Sequence, residues 1–81
     1  MRLLYFYTNN NTACKALEPY LPSFTERIDC EVSTKLVEEF TVTHVPLFII
    51  TTANKVEIER YQTTDIGLVL RHMEDIKNAA S

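Results

Sequence analysis

The chain contains only two cysteines, Cys14 and Cys30, which is too few for a disulfide framework. Neither has the spacing of a metal-ligand motif. His44 and His72 lie outside any Cys-x-x-Cys or His-x-x-x-His arrangement, so no metal is expected. Long apolar runs are missing as well. The first, Leu3 to Tyr7, is too short for a signal-peptide core, and nothing later approaches the length of a membrane span. Lysine and arginine are scattered singly through a chain of net charge −3, with no basic patch and no aromatic-basic interleaving. Nucleic acid is therefore not an expected partner. Repeats, low-complexity tracts and linkers are also lacking. These absences predict a cytoplasmic protein with no membrane contact; a monomer is the expected oligomeric state.

What is present describes one small domain spanning residues 1–81. A chain of this length buries roughly 60–65% of the surface its unfolded form exposes, so its stability margin is thin. Apolar residues make up 46% and charged residues 23%, the balance of a globular rather than a disordered chain. Tryptophan is absent, so four Phe and four Tyr supply the large core side chains.

Leu3-Leu4-Tyr5-Phe6-Tyr7 reads as a central strand covered on both faces. The polar cluster Thr8-Asn9-Asn10-Asn11-Thr12 is rich in helix-capping residues. Cys14, Leu17, Leu21 and Phe24 then recur at spacings of 3, 4 and 3, one apolar helical stripe that Pro19 and Pro22 should kink. Ile28-Asp29-Cys30-Glu31 alternates as a short strand. Ser33 is placed to cap a second helix bearing Leu36, Val37 and Phe40. Past Thr41-Val42-Thr43-His44-Val45-Pro46, the run Leu47–Ile50 is another buried strand. A turn at Thr52-Ala53-Asn54-Lys55, with Asn54 left-handed, leads to the return strand Val56–Glu59. Thr63 or Thr64 would cap a last helix, with Asp65 in its first turn and Ile66, Val69, Leu70, Met73 and Ile76 as its stripe. The order is β-α-β-α-β-β-α. This α/β class implies a four-stranded mixed sheet, one parallel pair and one hairpin, with helices on both faces.

Three local signatures make the chain similar to the thioredoxin family. A strand runs into a polar turn and then Cys14-Lys15, resembling the family's Cys-Gly-Pro-Cys-Lys. Pro19 follows that cysteine by five residues, where thioredoxins commonly carry a helix-kinking proline. Val42-Thr43-His44-Val45-Pro46 resembles the family's Val-x-x-Ile-Pro, whose proline peptide is cis. The resemblance covers nearly the whole chain and implies the thioredoxin fold, without the N-terminal strand and helix of longer members. Aligned on Cys14, however, Cys-Gly-Pro-Cys becomes Asn11-Thr12-Ala13-Cys14. The nucleophile is replaced by Asn11, the preceding tryptophan by Asn10, and the buried acid of the first strand by Tyr5.

In that family a thiolate at a helix N-terminus attacks a substrate disulfide and a second thiol resolves the mixed disulfide. An asparagine cannot ionise or form that intermediate, so dithiol turnover is not expected; Asn11 suits a helix cap instead. Cys14 has two readings. One is a buried thiol packed with Leu17, in the place of the family's buried cysteine. The other is a monothiol near the helix N-terminus that exchanges with a protein or peptide thiol or disulfide. Cys30 reads as a packed side chain on the apolar face of its strand. A Cys14–Cys30 bridge would need Cα atoms within roughly 7 Å, a distance the sequence does not supply. Glutathione, the ligand of the similarly sized glutaredoxins, lacks support here. Their Gly-Gly-Asp segment is absent, and the sole glycine, Gly67, falls inside the last helix. No cofactor is implied.

The resemblance also implies a peptide groove. The residue before the cis-proline offers backbone N–H and C=O groups to an extended partner, so Val45 and Pro46 are candidate binding residues, flanked by Thr12 and by His44, which would tune the charge near neutral pH. The sequence favours a redox-inactive peptide- or protein-binding or regulatory module over an enzyme. Monothiol exchange through Cys14, and an accessory protein that has kept only the fold, are the other readings.

Overall fold

The computed structural model describes residues 1–80. Its elements are β1 (Arg2–Tyr7), α1 (Thr12–Leu17), a 3-10 turn (Glu18–Tyr20), β2 (Glu26–Asp29), α2 (Thr34–Glu39), β3 (Leu47–Thr51), β4 (Glu57–Tyr61) and α3 (Ile66–Ala80). The sheet order is β2-β1-β3-β4. β1 runs parallel to β2 and antiparallel to β3, and β3 pairs antiparallel with β4. The α/β class and the expected element order both hold.

β1 is apolar at every inner position because it lies under helices on both faces. Leu3 and Tyr5 point into one core, where they meet Cys14 and Leu17 of α1, Phe48 and Ile50 of β3, and Val69 and Met73 of α3. Leu4 and Phe6 point the other way, against Ile28, Phe40, Leu47 and Ile49. In the first core the Tyr5 ring stacks on Phe48, with centroids 4.9 Å apart, and on Tyr7 at 5.6 Å. In the second, Phe6 meets Phe40 edge-on at 5.8 Å.

Four local expectations are corrected. The stripe of the first helix does not reach Phe24. α1 ends at Leu17, Pro19 enters a 3-10 turn, and Phe24 lies 56% exposed. Two prolines three residues apart remove donors and crowd the preceding turn, so they break the helix rather than bend it. The second strand spans Glu26–Asp29, which puts Cys30 in the turn beyond it, half-buried against the second core. The left-handed residue of the hairpin is Lys55 (φ 64°), not Asn54, and the return strand starts one residue later than Val56. The cap of α3 is Asp65, whose Oδ1 accepts from the Leu68 N–H at 3.0 Å; Thr63 Oγ1 accepts in turn from the Asp65 N–H at 3.0 Å.

Polar contacts close the ends of the second face. Arg2 pairs with Glu26 across β1 and β2 (Nε to Oε2 2.6 Å), and this pairing holds the Glu26 carboxyl below its usual range. Arg60 does the same to Glu57 on β4. A carboxyl whose pKa is lower folded than unfolded contributes stability that is complete above the unfolded value and lost as pH falls through the folded one. The urea midpoint is therefore expected to drop as pH falls below about 4.5. Glu26→Gln should flatten that drop while lowering the neutral-pH midpoint; an unaltered acid slope would show that the pair is not coupled to folding.

Candidate functional site

The carboxyl end of β1 delivers the chain to the head of α1. Asn9 ties the intervening loop to the end of β2, its Nδ2 donating to Asp29 Oδ2 at 3.1 Å. Asn11 is extended (φ −86°, ψ 117°), and its Oδ1 accepts from the Cys14 N–H at 3.0 Å. This is an N-cap, satisfying one of the helix's orphan donors. The other end of the same amide reaches across the fold: Asn11 Nδ2 donates to the Val45 carbonyl at 3.4 Å. One side chain thus joins the start of α1 to the loop before β3.

That loop begins at the end of α2. The Thr41 N–H donates to the Glu38 carbonyl (3.2 Å) and the Val42 N–H to the Val37 carbonyl (2.9 Å), the paired bonds of a Schellman motif. Such a motif needs a left-handed residue, usually glycine; here it is Thr41, at φ 51°. A β-branched residue in that region costs about 1–3 kcal/mol and persists only where its surroundings impose it. The chain then runs through Val42, Thr43 and His44 to the Val45-Pro46 peptide, which is cis.

Val45 stands between two clefts. One, about 390 Å³, is walled by Val45, Pro46, Gln62, Thr63 and Thr64. The other, about 160 Å³, lies among Thr8, Cys30, Val37, Val42, His44 and their neighbours. The structure therefore groups Val45, Pro46, His44 and Asn11. His44 is exposed, with Nδ1 3.0 Å from Thr43 Oγ1. Thr12, exposed in the first turn of α1, lines neither cleft. Gln62, Thr63 and Thr64 are the wall that sequence reasoning missed as site residues. They are ordinary loop residues brought to Pro46 by the return of the chain from β4 to α3.

Cys14 is 3% exposed, within the first core. The hydroxyl of the fully buried Tyr5 donates to the Cys14 carbonyl at 3.2 Å. Burial and that contact push the Tyr5 phenol far above its ordinary pKa, so it holds its proton at neutral pH. Tyr5 anchors the turn that carries Cys14 through this hydrogen bond. A separate cleft of about 320 Å³ touches Cys14 from the flank of α1, between Tyr7, Asn9, Lys15 and Glu18. Burial, reinforced by the Asp29 carboxylate, also raises the Cys30 thiol, which keeps it protonated and weakly nucleophilic. Both cysteines are free thiols. Among the described residues no cluster of three or more His, Cys, Asp or Glu side chains could hold a metal, and no helix is long and apolar enough to cross a membrane.

No protein-family model and no curated protein sequence matches the chain. Solved structures do. Thioredoxin 1 from the thermophilic eubacterium Thermosipho africanus superposes with a TM-score of 0.85 at 24% identity, covering 99% of this chain and 98% of its own. The thioredoxin Mala s 13 from Malassezia sympodialis gives 0.74 at 15% identity, over 90% of this chain and 71% of its own. Thioredoxin-2, a component of the malaria parasite protein secretion machinery, gives 0.61 at 23% identity, over 86% and 81%. The chain has the thioredoxin fold.

The double role of Asn11 can be separated by substitution. Asn11→Ala should destabilise the protein by about 1 kcal/mol through loss of the cap. Asn11→Asp retains the acceptor for the Cys14 N–H but loses the donor to Val45. It should therefore spare most of that stability while shifting the Val45 carbonyl resonance. An unmoved Val45 signal in both variants would remove the link to the loop.

Proposed function

We propose that this chain is a thioredoxin-like module that binds an extended peptide or protein segment without dithiol chemistry. The observation that carries this reading is the placement of Asn11. At the head of α1, facing the loop, stands an amide bonded to both the Cys14 N–H and the Val45 carbonyl. That position would have to present a thiolate for dithiol exchange, and an amide supplies none. The recognition elements are backbone groups, which do not depend on the lost thiol. An extended partner laid beside Val45 would accept from its N–H, as one added rung of a strand. Because side chains alternate along an extended segment, successive ones would face the clefts on either side of Val45. The partner class is thus a protein or peptide in extended conformation.

Binding is testable with peptides selected from a displayed library against the wild-type chain. Val45→Pro deletes the N–H donor and should abolish binding, whereas Val45→Ala spares the donor and should keep most of it. Equal affinity in wild type and Val45→Pro would overturn the groove. The wild-type chain should leave insulin disulfides unreduced, and Asn11→Cys should acquire measurable reduction. Turnover by the wild type would overturn the redox-inactive reading.

A second reading draws on the cleft beside Cys14. In it the Cys14 thiolate attacks a partner's disulfide, forming a mixed disulfide and releasing the partner's other sulfur as a thiolate. Near-complete burial of Cys14 argues against this. Labelling by a thiol reagent decides between the two. Modification of Cys14 only after unfolding supports the binding module, and rapid modification of the native protein at neutral pH supports monothiol exchange.

A further inference from the structure

Arg60 lies on the edge strand β4, remote in sequence from the loop of residues 42–46 and just before the Gln62–Thr64 wall of the proposed groove. Its guanidinium is gripped from one side by Glu57, with Nε to Oε2 at 2.9 Å and Nη2 to Oε1 at 2.6 Å. The opposite side of the fork is turned onto the end of α2. Nη2 donates to the Phe40 carbonyl at 2.6 Å, and Nη1 lies 3.5 Å from the Thr41 carbonyl. These two carbonyls flank the left-handed Thr41 residue. A planar fork already oriented by a carboxylate gives up little freedom on meeting them, and its positive charge suits the carbonyl end of a helix.

We propose that Arg60, oriented by Glu57, is a positioning residue for the groove: it holds Thr41 in the left-handed conformation and so fixes the path of residues 42–46. The inference rests on the peptide-binding reading for its functional consequence, but its structural content is separate. Threonine has no intrinsic reason to end a helix left-handed. Without the clamp, the Phe40–Thr41 turn can relax toward ordinary backbone. The Val42 N–H would then leave the Val37 carbonyl, and Val45 would lose its alignment with Asn11. A glycine at position 41 would adopt the same conformation without help. That gives a diagnostic coupling which loss of surface packing would not produce.

The experiment is a double-mutant cycle on the intact chain, read by amide hydrogen exchange and by the affinity of a library-selected peptide. Arg60→Ala should speed exchange at Val42 by about tenfold relative to Ile49 in β3, and weaken the peptide by a similar factor. Arg60→Lys, which keeps the charge but not the fork, should restore part of both. Glu57→Gln, which leaves Arg60 in place but loosens it, should fall between. In a Thr41→Gly background the Arg60→Ala effect should largely vanish. Unchanged relative exchange in Arg60→Ala, or an undiminished effect beside Thr41→Gly, would overturn the clamp. If the exchange pattern appears but no peptide binds the wild type, the groove reading fails and the clamp stands. If peptide binds equally well to wild type and Arg60→Ala, the groove stands and the clamp fails.

Discussion

Everything in this fold hangs on β1 having two inside faces. A strand paired on both edges, parallel to β2 and antiparallel to β3, satisfies its backbone within the sheet. Its side chains can then alternate between two cores with no polar face at all: Leu3 and Tyr5 into one, Leu4 and Phe6 into the other, each at most 1% exposed. The stability of a chain this short depends on that economy, since few residues serve two cores at once. The same strand also fixes where chemistry can occur. Its carboxyl end points toward Asn11 and the head of α1, and the neighbouring antiparallel strand β3 begins beside it, bringing Val45 and Pro46 within reach. The candidate site is thus a consequence of strand order.

The parts legible in the sequence were those with a strong periodic or compositional cause. Leu3–Tyr7 and Leu47–Ile50 are short unbroken apolar runs rich in aromatic or β-branched residues, which fits a doubly covered strand. Asn11 declared itself as a cap through residue type and its place before an apolar stripe. The stripe itself misled at Phe24, because spacing of 3 and 4 persists in a chain segment whether or not prolines let the helix continue. Asn54 misled for a related reason. Propensity for left-handed backbone favours asparagine over lysine, but the closing bond from the Lys55 N–H to the Thr52 carbonyl and the bulged pairing of β4 decide which residue takes that conformation. Thr41 was invisible altogether, since nothing in a threonine announces a positive φ. It became interpretable only once Arg60, nineteen residues away in sequence, was seen against its carbonyl.

The head of α1 needs an acceptor at position 11 whatever chemistry the site performs, and Asn11 supplies it. Orphan N–H groups at the start of α1 must be satisfied, and an amide oxygen does so at a typical gain of about 1 kcal/mol. The amide's second function, donation to Val45, has no counterpart in a cysteine side chain, whose weak S–H donor would hold the loop poorly. Asn11 therefore caps α1 with one end of its amide and tethers the loop before β3 with the other. The buried tyrosine at position 5 completes the same logic. It fills the core, spends its hydroxyl on the Cys14 carbonyl, and holds its proton at neutral pH.

What distinguishes this site from an active site of side chains is that its proposed recognition groups belong to the backbone. Backbone donors and acceptors are present in every loop; only their direction is special. Direction, in turn, is set by constraints placed elsewhere: the Asn11 amide on one side of Val45, and the α2 terminus on the other. Each constraint joins elements that the sheet does not itself hold together. The Asn11 amide is itself one of these constraints, so the residue at position 11 shapes the loop as well as capping α1. On the proposed reading, Thr41, Glu57 and Arg60 matter to the groove as much as Val45 does, because they fix the loop that carries its backbone groups.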